Sequence, residues 1–198
     1  FIMENCNINI DANITHSNSL LCISPIDGRY SNYTKKLQKY FSEYALIYYR
    51  TYIEISYLYK LSSRLNLLNN TEKETLNSIL LKFSIHDANK IKELEKITNH
   101  DIKAIEYFIG EKCKSLGLNH IVSYIHFGLT SQDINNTAIP LSLNKFVTNV
   151  YYEDICNIIN KINLLASNSS FITILAHTHG QPVSPTSFGK ELKVFSYR

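Results

Sequence analysis

Polar residues with catalytic potential gather in four short segments that break an otherwise helical hydrophobic pattern. These segments are Arg29-Tyr30, Asn99-His100-Asp101, Thr130-Ser131 and His177-Thr178-His179. Each lies at a turn or at a helix start, where free backbone N–H groups and the positive end of the helix dipole favour anions. Imidazoles on a proline-flanked loop suit proton transfer near neutral pH. The segments therefore predict an acid–base site for an anionic ligand.

Each segment also has a purely structural explanation. Thr130-Ser131 suits a helix N-cap, and Asp101 can cap the helix that follows it with His100 on the surface. Arg29-Tyr30 fits an ordinary surface turn. A metal site is disfavoured, because two histidines spaced by two residues lack an obvious third ligand nearby. The phosphate-binding motifs GxGxxG and GxxxxGK[ST] and the GxSxG nucleophile motif are absent.

Composition narrows the class of protein. The 198 residues are 44% hydrophobic and 19% charged, which argues against a disordered chain. No apolar run approaches the ~20 residues of a membrane helix, and only 6 Gly and 4 Pro argue against a turn-rich all-β fold. The net charge of +3, without a basic block, gives little support to nucleic-acid binding. Four cysteines without a CxxC pair, and no signal peptide, favour a cytoplasmic protein with reduced thiols.

Helical signals supply the elements that must position the four segments. Ser42 is a candidate N-cap for a helix with a tyrosine-rich apolar stripe, and a capping box is predicted at Thr71–Glu74 for a helix that ends near Lys82. Further helices are predicted from Asp87 to about Ile97 and from Asp101 to a stop at Gly117.

The second half of the chain is predicted to contain one long helix. It starts after Thr130-Ser131, Pro140 kinks or interrupts it early, and it has a narrow apolar stripe at coiled-coil-like spacing between Val147 and Leu165. Residues 171–185 are predicted to be irregular, with a last helix from about Pro185 or Thr186. The sequence thus predicts an all-α fold with a loose extension at 1–20, a helical domain at 21–119 and the first part of a helical bundle at 120–198.

Four motifs occur in a fixed order along the chain: SPIDGRY at 24–30, TNHDIKAIEYF at 98–108, HFGLTSQDINN at 126–136 and THGQP at 178–182. Together they closely resemble the adenylosuccinate lyase family of the fumarase/aspartase superfamily. The resemblance covers residues 21–198 and implies the long-helix bundle of that superfamily. It also implies a reaction without metal or organic cofactor: β-elimination of fumarate from adenylosuccinate, giving AMP, and from SAICAR, giving AICAR, in purine biosynthesis.

The resemblance implies a role for each segment. His179 matches the general acid that protonates the leaving nitrogen. Thr130 and Ser131 match ligands of the succinyl carboxylates, and Asn99, His100 and Asp101 match a segment that contacts the substrate and orients the acid, with Asp101 expected to raise a histidine pKa and fix its tautomer. Arg29 and Tyr30 match contacts to the phosphate.

Family members are more than twice as long as this chain, and their catalytic base lies on a later loop. The chain is therefore expected to be inactive alone. The resemblance also implies a homotetramer with active sites shared between subunits. Two alternatives stay open: another fumarate-releasing lyase of the superfamily, and a non-enzymatic helical scaffold derived from one. Neither nucleic acid nor membrane is expected as a partner.

Overall fold

A computed structural model describes residues 24–26 and 28–198 of the chain. The predicted loose extension at 1–20 lies outside these residues. Over the described residues the fold is all-α with one two-stranded hairpin, which confirms the predicted fold class. The chain divides into two compact units, one through Lys145 and one from Phe146 to Arg198. The domain limits at 21–119 and 120–198 stay a prediction.

The first unit is built from helices joined by short turns. The helices are α1 (Ser31–Thr34), α2 (Gln38–Phe41), α3 (Glu43–Leu65), α4 (Asn70–Leu81), α5 (Ile85–Thr98), α6 (Asp101–Ser115) and α7 (Ser131–Phe146), whose last residue belongs to the second unit. Short 3₁₀ helices lie at Lys35–Leu37 and Asn119–Tyr124.

Helix α3 begins as predicted, because the hydroxyl of Ser42 accepts a hydrogen bond from the backbone of Ala45 at 3.1 Å. Its apolar stripe faces the core, where Ala45 and Ile55 are fully buried. The helix ends at Asn66, whose left-handed backbone (φ 53°) closes the last turn.

Capping boxes start the next two helices. In α4 the N-cap is Asn69, which exchanges hydrogen bonds with Glu72, so the predicted box is real but begins two residues before Thr71. In α5, Ser84 and Asp87 form the corresponding pair. Both boxes satisfy backbone N–H groups that a helix start leaves unpaired.

Helix α6 supplies the centre of the core. The apolar stripe of this helix, formed by Ile102, Ile105, Ile109 and Cys113, is completely buried. Phe108 on the same helix is also buried and meets Phe83 edge-to-face, with ring centroids 6.0 Å apart. The helix ends before Gly117 (φ 78°), as predicted.

Helix α7 continues through Pro140 to Phe146, so the helix is not interrupted at the proline. The departure from α-helical geometry comes later, in a π-helical turn at Val147–Tyr151. A π-turn inserts an extra residue into the hydrogen-bond ladder and shifts the face that the following helix presents.

The second unit contains α8 (Tyr152–Asn168), β1 (Thr173–Thr178), β2 (Gln181–Ser187) and α9 (Phe188–Tyr197). The strands pair antiparallel, so the prediction of irregular structure at 171–185 is wrong. Pro182 and Pro185 lie on β2. A two-stranded sheet tolerates them because each of its strands is an edge strand. Helix α9 starts at Phe188, slightly later than predicted, with Ser187 as its N-cap.

The predicted apolar stripe runs from the π-helical turn into α8 and is largely exposed in this chain. Val147, Tyr151, Ile158 and Leu165 are 41–55% accessible to solvent. No helix among the described residues is long and apolar enough to cross a membrane.

Candidate active site

Two of the four polar segments meet in the first unit, at the starts of α6 and α7. His100 is the N-cap of α6, and Ser131 is the first residue of α7. The Nε2 atom of His100 lies 3.2 Å from the hydroxyl oxygen of Ser131. The N-termini of two helices therefore meet here, and the positive ends of their dipoles suit a negatively charged ligand.

The hydrogen bonds at His100 determine its tautomer. Its Nδ1 accepts a hydrogen bond from the backbone N–H of Lys103 at 3.2 Å, so Nδ1 carries no proton in this geometry. The proton of the neutral ring then lies on Nε2, which donates to the oxygen of Ser131. The hydroxyl proton of Ser131 is left to donate to another acceptor, such as a carboxylate oxygen.

The turn before α6 is held by Asn99 and Thr98. Asn99 ends α5 in the left-handed conformation (φ 50°), which asparagine tolerates better than most residues. The hydroxyl of Thr98 donates to the carbonyl of His100 at 3.0 Å and lies 3.3 Å from its backbone N–H. These local bonds fix the direction in which α6 starts.

The carboxylate of Asp101 has hydrogen-bond partners other than the neighbouring histidine. Its Oδ2 pairs with the guanidinium of Arg50 at 2.8 Å, and its Oδ1 accepts the backbone N–H of Ile102 at 2.8 Å. Oδ1 lies 3.5 Å from Nδ1 of His100, too far for a good hydrogen bond. The tautomer of His100 is thus set by the backbone of Lys103, and Asp101 is bound to Arg50.

Thr130 binds the carboxylate of Asp133, a residue in the first turn of the helix that follows it. Its backbone N–H and its hydroxyl both donate to Oδ2 of Asp133, at 2.7 and 2.9 Å. These bonds hold the pKa of Asp133 below its ordinary value. Of the Thr130-Ser131 pair, Ser131 is the residue with a donor to spare in this geometry.

A buried charged cluster, which the sequence did not predict, lies beside this site. His126 has a left-handed backbone (φ 58°), and its Nδ1 lies 2.5 Å from Oε1 of Glu54. Its Nε2 lies 3.9 Å from Glu106, which pairs with Lys103 at 2.7 Å. Burial raises the pKa of Glu54, and the bond to His126 partly opposes that effect.

The cluster had one signal in the sequence. His126 begins the HFGLTSQDINN motif, although no role was predicted for it. Tyr57 donates to the carbonyl of Phe127 at 2.7 Å, and the N–H of Leu129 donates to the carbonyl of His126 at 3.2 Å. Because Glu54 and Tyr57 of α3 bind the neighbouring residues His126 and Phe127, α3 anchors the segment that leads into Thr130-Ser131.

Arg29 and Tyr30 lie in the turn before α1. The backbone N–H of Tyr30 donates to the carbonyl of Pro25 at 2.8 Å, and the guanidinium of Arg29 lies 5.7 Å from the ring centroid of Tyr30. Both side chains are exposed. No hydrogen bond or ion pair joins either one to His100 or Ser131 in the part of the chain that the structure describes.

His179 lies at the tip of the hairpin in the second unit. Thr178 pairs with Gln181, so His179 and Gly180 form a two-residue turn with φ of 49° and 79°. Positive φ at both positions is typical of a type I′ turn, which matches the twist of the strands. His177 faces Pro182 on the neighbouring strand. Both imidazoles are exposed.

Within residues 24–26 and 28–198, no group of three or more His, Cys, Asp or Glu side chains is arranged to hold a metal ion. The two described cysteines, Cys113 and Cys156, are free. Burial raises the pKa of Cys113 to about 11, so its thiol stays protonated near neutral pH.

The paired helix N-termini of the first unit suit a carboxylate-bearing ligand. The comparison with protein families gives the class: residues 28–197 match the family described as Lyase, and the chain belongs to it. Among curated relatives, adenylosuccinate lyase from Dictyostelium discoideum is 51% identical over 91% of this chain and 41% of that protein. Adenylosuccinate lyase from Legionella pneumophila (strain Corby) is 41% identical over the same shares.

The resemblance to adenylosuccinate lyase that the motifs indicated is thereby confirmed, and the chain spans about two fifths of the length of these relatives. Solved structures support the fold. Fumarate lyase from Mesorhizobium sp. BNC1 superposes with a TM-score of 0.66 at 20% identity, over 82% of this chain and 37% of that one.

Proposed function

We propose that this chain forms part of an adenylosuccinate lyase. The enzyme would release fumarate by breaking a C–N bond in adenylosuccinate, giving AMP, and in SAICAR, giving AICAR, as a step of purine nucleotide biosynthesis. The observation that carries the proposal is the meeting of His100 and Ser131 at two helix N-termini, in a chain that is 51% identical to a relative of that name. No metal or organic cofactor is required by this reaction.

The carboxylate end of the substrate is assigned to the start of α7. Removal of a proton from the carbon beside a carboxylate builds negative charge on that group, and preorganised donors lower the cost of this charge. Ser131 can donate its hydroxyl proton there because its oxygen already accepts from His100. Thr130 would join the contact when the substrate carboxylate displaces Asp133 from its two donors. Asn99 and Asp101 would shape the site around His100.

The leaving nitrogen is assigned to His179. A general acid needs a pKa near the working pH and freedom to approach the leaving group, and an exposed imidazole on a tight turn meets the second requirement. Arg29 and Tyr30 would bind the phosphate, since a guanidinium forms forked hydrogen bonds with phosphate oxygens.

The proposed assembly is a homotetramer with active sites shared between subunits, in the cytoplasm. The exposed apolar stripe on α8 supports burial against partner helices. The free thiols of Cys113 and Cys156 fit a reducing compartment. Mass photometry of the full-length protein would test the oligomeric state, and a monomer at micromolar concentration would contradict it.

Fumarate release by the full-length protein tests the activity. We expect turnover with adenylosuccinate and with SAICAR, and none with argininosuccinate or aspartate, which other lyases of this kind use. Turnover of argininosuccinate or aspartate alone would assign the chain to a different lyase. No turnover of any of them by the folded full-length protein would favour a scaffold.

Replacing the proposed general acid tests the mechanism. His179→Ala should lower kcat by roughly 10²–10⁴-fold with the fold kept, the usual contribution of one general acid. His86→Ala, at an exposed histidine on α5, is the matched control and should leave kcat unchanged. Near-normal turnover in His179→Ala would remove this residue from the role.

Replacing the proposed phosphate ligand should separate binding from chemistry. Arg29→Ala should raise KM more than it lowers kcat, because it removes a contact to a part of the substrate that does not react. An unchanged KM would argue against a phosphate contact at this position.

A further inference from the structure

Arg50 connects three helices through one guanidinium group. Its side chain comes from the middle of α3 and is only 12% exposed. One terminal nitrogen lies 2.8 Å from Oδ2 of Asp101 at the start of α6. Its Nε donates to Oδ1 of Asn135 in α7 at 2.8 Å. The planar fork of a guanidinium can serve both acceptors at once, which an ammonium group cannot do with the same geometry.

The pairing with Arg50 determines what Asp101 does to its neighbour. With Oδ2 on Arg50 and Oδ1 on the backbone of Ile102, both carboxylate oxygens have donors other than His100. The Nδ1 atom of His100, 3.5 Å from Oδ1, therefore stays unprotonated and accepts from Lys103 instead. The ring proton lies on Nε2 and points to Ser131.

We propose that Arg50 is a positioning residue that keeps His100 in the Nε2–H tautomer directed at Ser131. Without the guanidinium, the carboxylate of Asp101 would be the nearest strong acceptor and would attract the ring proton to Nδ1. The backbone bond from Lys103 and the donation to Ser131 would then both be lost. The consequence for catalysis rests on the proposed function, whereas the effect on the ring does not.

Nitrogen-15 spectra of the histidine rings test the proposal directly. Long-range proton–nitrogen correlations of the ¹⁵N-histidine-labelled 198-residue chain show which ring nitrogen carries the proton. The pH is set about two units above the ordinary histidine pKa of ~6.5 to keep neutral rings in view. The His100 signals are assigned by their loss in His100→Gln.

The wild-type chain should show His100 as the Nε2–H tautomer, and Arg50→Met should shift its signals toward protonation of Nδ1. Arg50→Lys should restore the wild-type pattern, because a single cation is enough to bind Asp101. Adding Asp101→Asn to Arg50→Met should also restore it, because the competing carboxylate is gone. Arg64→Met, at an exposed arginine of the same helix, is the matched control for loss of one charge.

Arg50→Gln provides a second uncharged variant if Arg50→Met does not fold, with the same expected shift. The proposal is overturned if a folded uncharged variant keeps the Nε2–H tautomer, or if the wild-type ring carries its proton on Nδ1. It is equally overturned if the double variant behaves like Arg50→Met. Fumarate release plays no part in these readings, so failure of the proposed activity and failure of this inference are distinguished.

Discussion

The two units of this chain contain similar amphipathic helices that differ in how far their apolar faces are buried. In the unit that ends at Lys145, α3 and α6 bury their apolar stripes, and Ile55, Ile102 and Phe108 are inaccessible to solvent. In the unit from Phe146 to Arg198, the stripe of α8 and the aromatic side chains of α9 remain accessible, with Phe195 66% exposed.

An apolar stripe in the sequence shows which face of a helix is favoured to be buried. It does not show which other element covers that face. The first unit supplies that surface from its own helices. In the second unit the uncovered face fits burial against other subunits or against further chain, as the proposed assembly requires.

The largest difference between the units is expected from truncating one phenylalanine in each. Phe108→Ala should lower the free energy of unfolding by about 3–5 kcal/mol, since it empties a fully buried site. Phe195→Ala should change it by no more than about 0.5 kcal/mol in the single chain. Urea unfolding followed by far-ultraviolet circular dichroism measures both. Equal losses of unfolding free energy in the two variants would contradict the difference in burial between the units.

A smaller difference is expected from one carboxylate in each unit. Burial alone would raise the pKa of Asp87, but hydrogen bonds from Lys112 at 2.7 Å and from Ser84 outweigh it and lower the pKa. Asp87→Asn should cost about 1.5–3 kcal/mol, as expected for hydrogen bonds to a charged group. Glu191→Gln, which alters an exposed ion pair with Lys190, should cost about 0–1 kcal/mol.

The lowered pKa of Asp87 predicts how its contribution to the free energy of unfolding changes with pH. Because the pKa of Asp87 is lower in the folded chain, its contribution is complete above the unfolded value near ~3.9. That contribution is lost as the pH falls from there through the folded pKa. The wild-type advantage over Asp87→Asn should therefore shrink in that acid range. An advantage that grew with acidification would contradict the assignment.

Adding a methyl group at one glycine in each unit is expected to reverse the order of the units. A Cβ on Gly189 would lie 2.2 Å from the carbonyl oxygen of Ala166, whereas a Cβ on Gly110 would meet only ordinary contacts at 3.7 and 3.8 Å. Gly189→Ala should cost about 1–3 kcal/mol by overpacking. Gly110→Ala, within α6, should stabilise by up to about 1 kcal/mol.

Amide hydrogen exchange of α6, α8 and α9 localises these two effects. Faster exchange in α8 and α9 of Gly189→Ala would show that these two helices are closely packed in the second unit, despite its exposed stripe. Unchanged exchange there would contradict the close approach of α9 to α8.

Local signals predicted much of the fold because they act over a few residues. Ser42 caps α3 through a hydroxyl three residues from its donor, and Gly117 ends α6 by its own backbone conformation. The hairpin was missed because its strands contain two prolines and its turn is His179-Gly180, which lacks the Asn-Gly or Asp-Gly pairs that signal such turns most strongly.

The candidate site was predicted only in part for the same reason. His100 and Ser131 were identified from the motifs, but their hydrogen bond, between residues 31 positions apart, depends on how α6 and α7 pack. Arg50, Glu54 and His126 carry no local signal of a partner, since their bonds join α3 to residues 72 and 85 positions away.

The sequence by itself determined where most helices begin and end, which faces are apolar and which family the motifs resemble, because each of these depends on neighbouring residues or on their order. Only the tertiary structure decided that Asp101 binds Arg50, that a backbone N–H sets the tautomer of His100, and that one apolar stripe is buried while another is exposed. Those outcomes depend on which distant groups packing brings within ~3 Å, the range of a hydrogen bond.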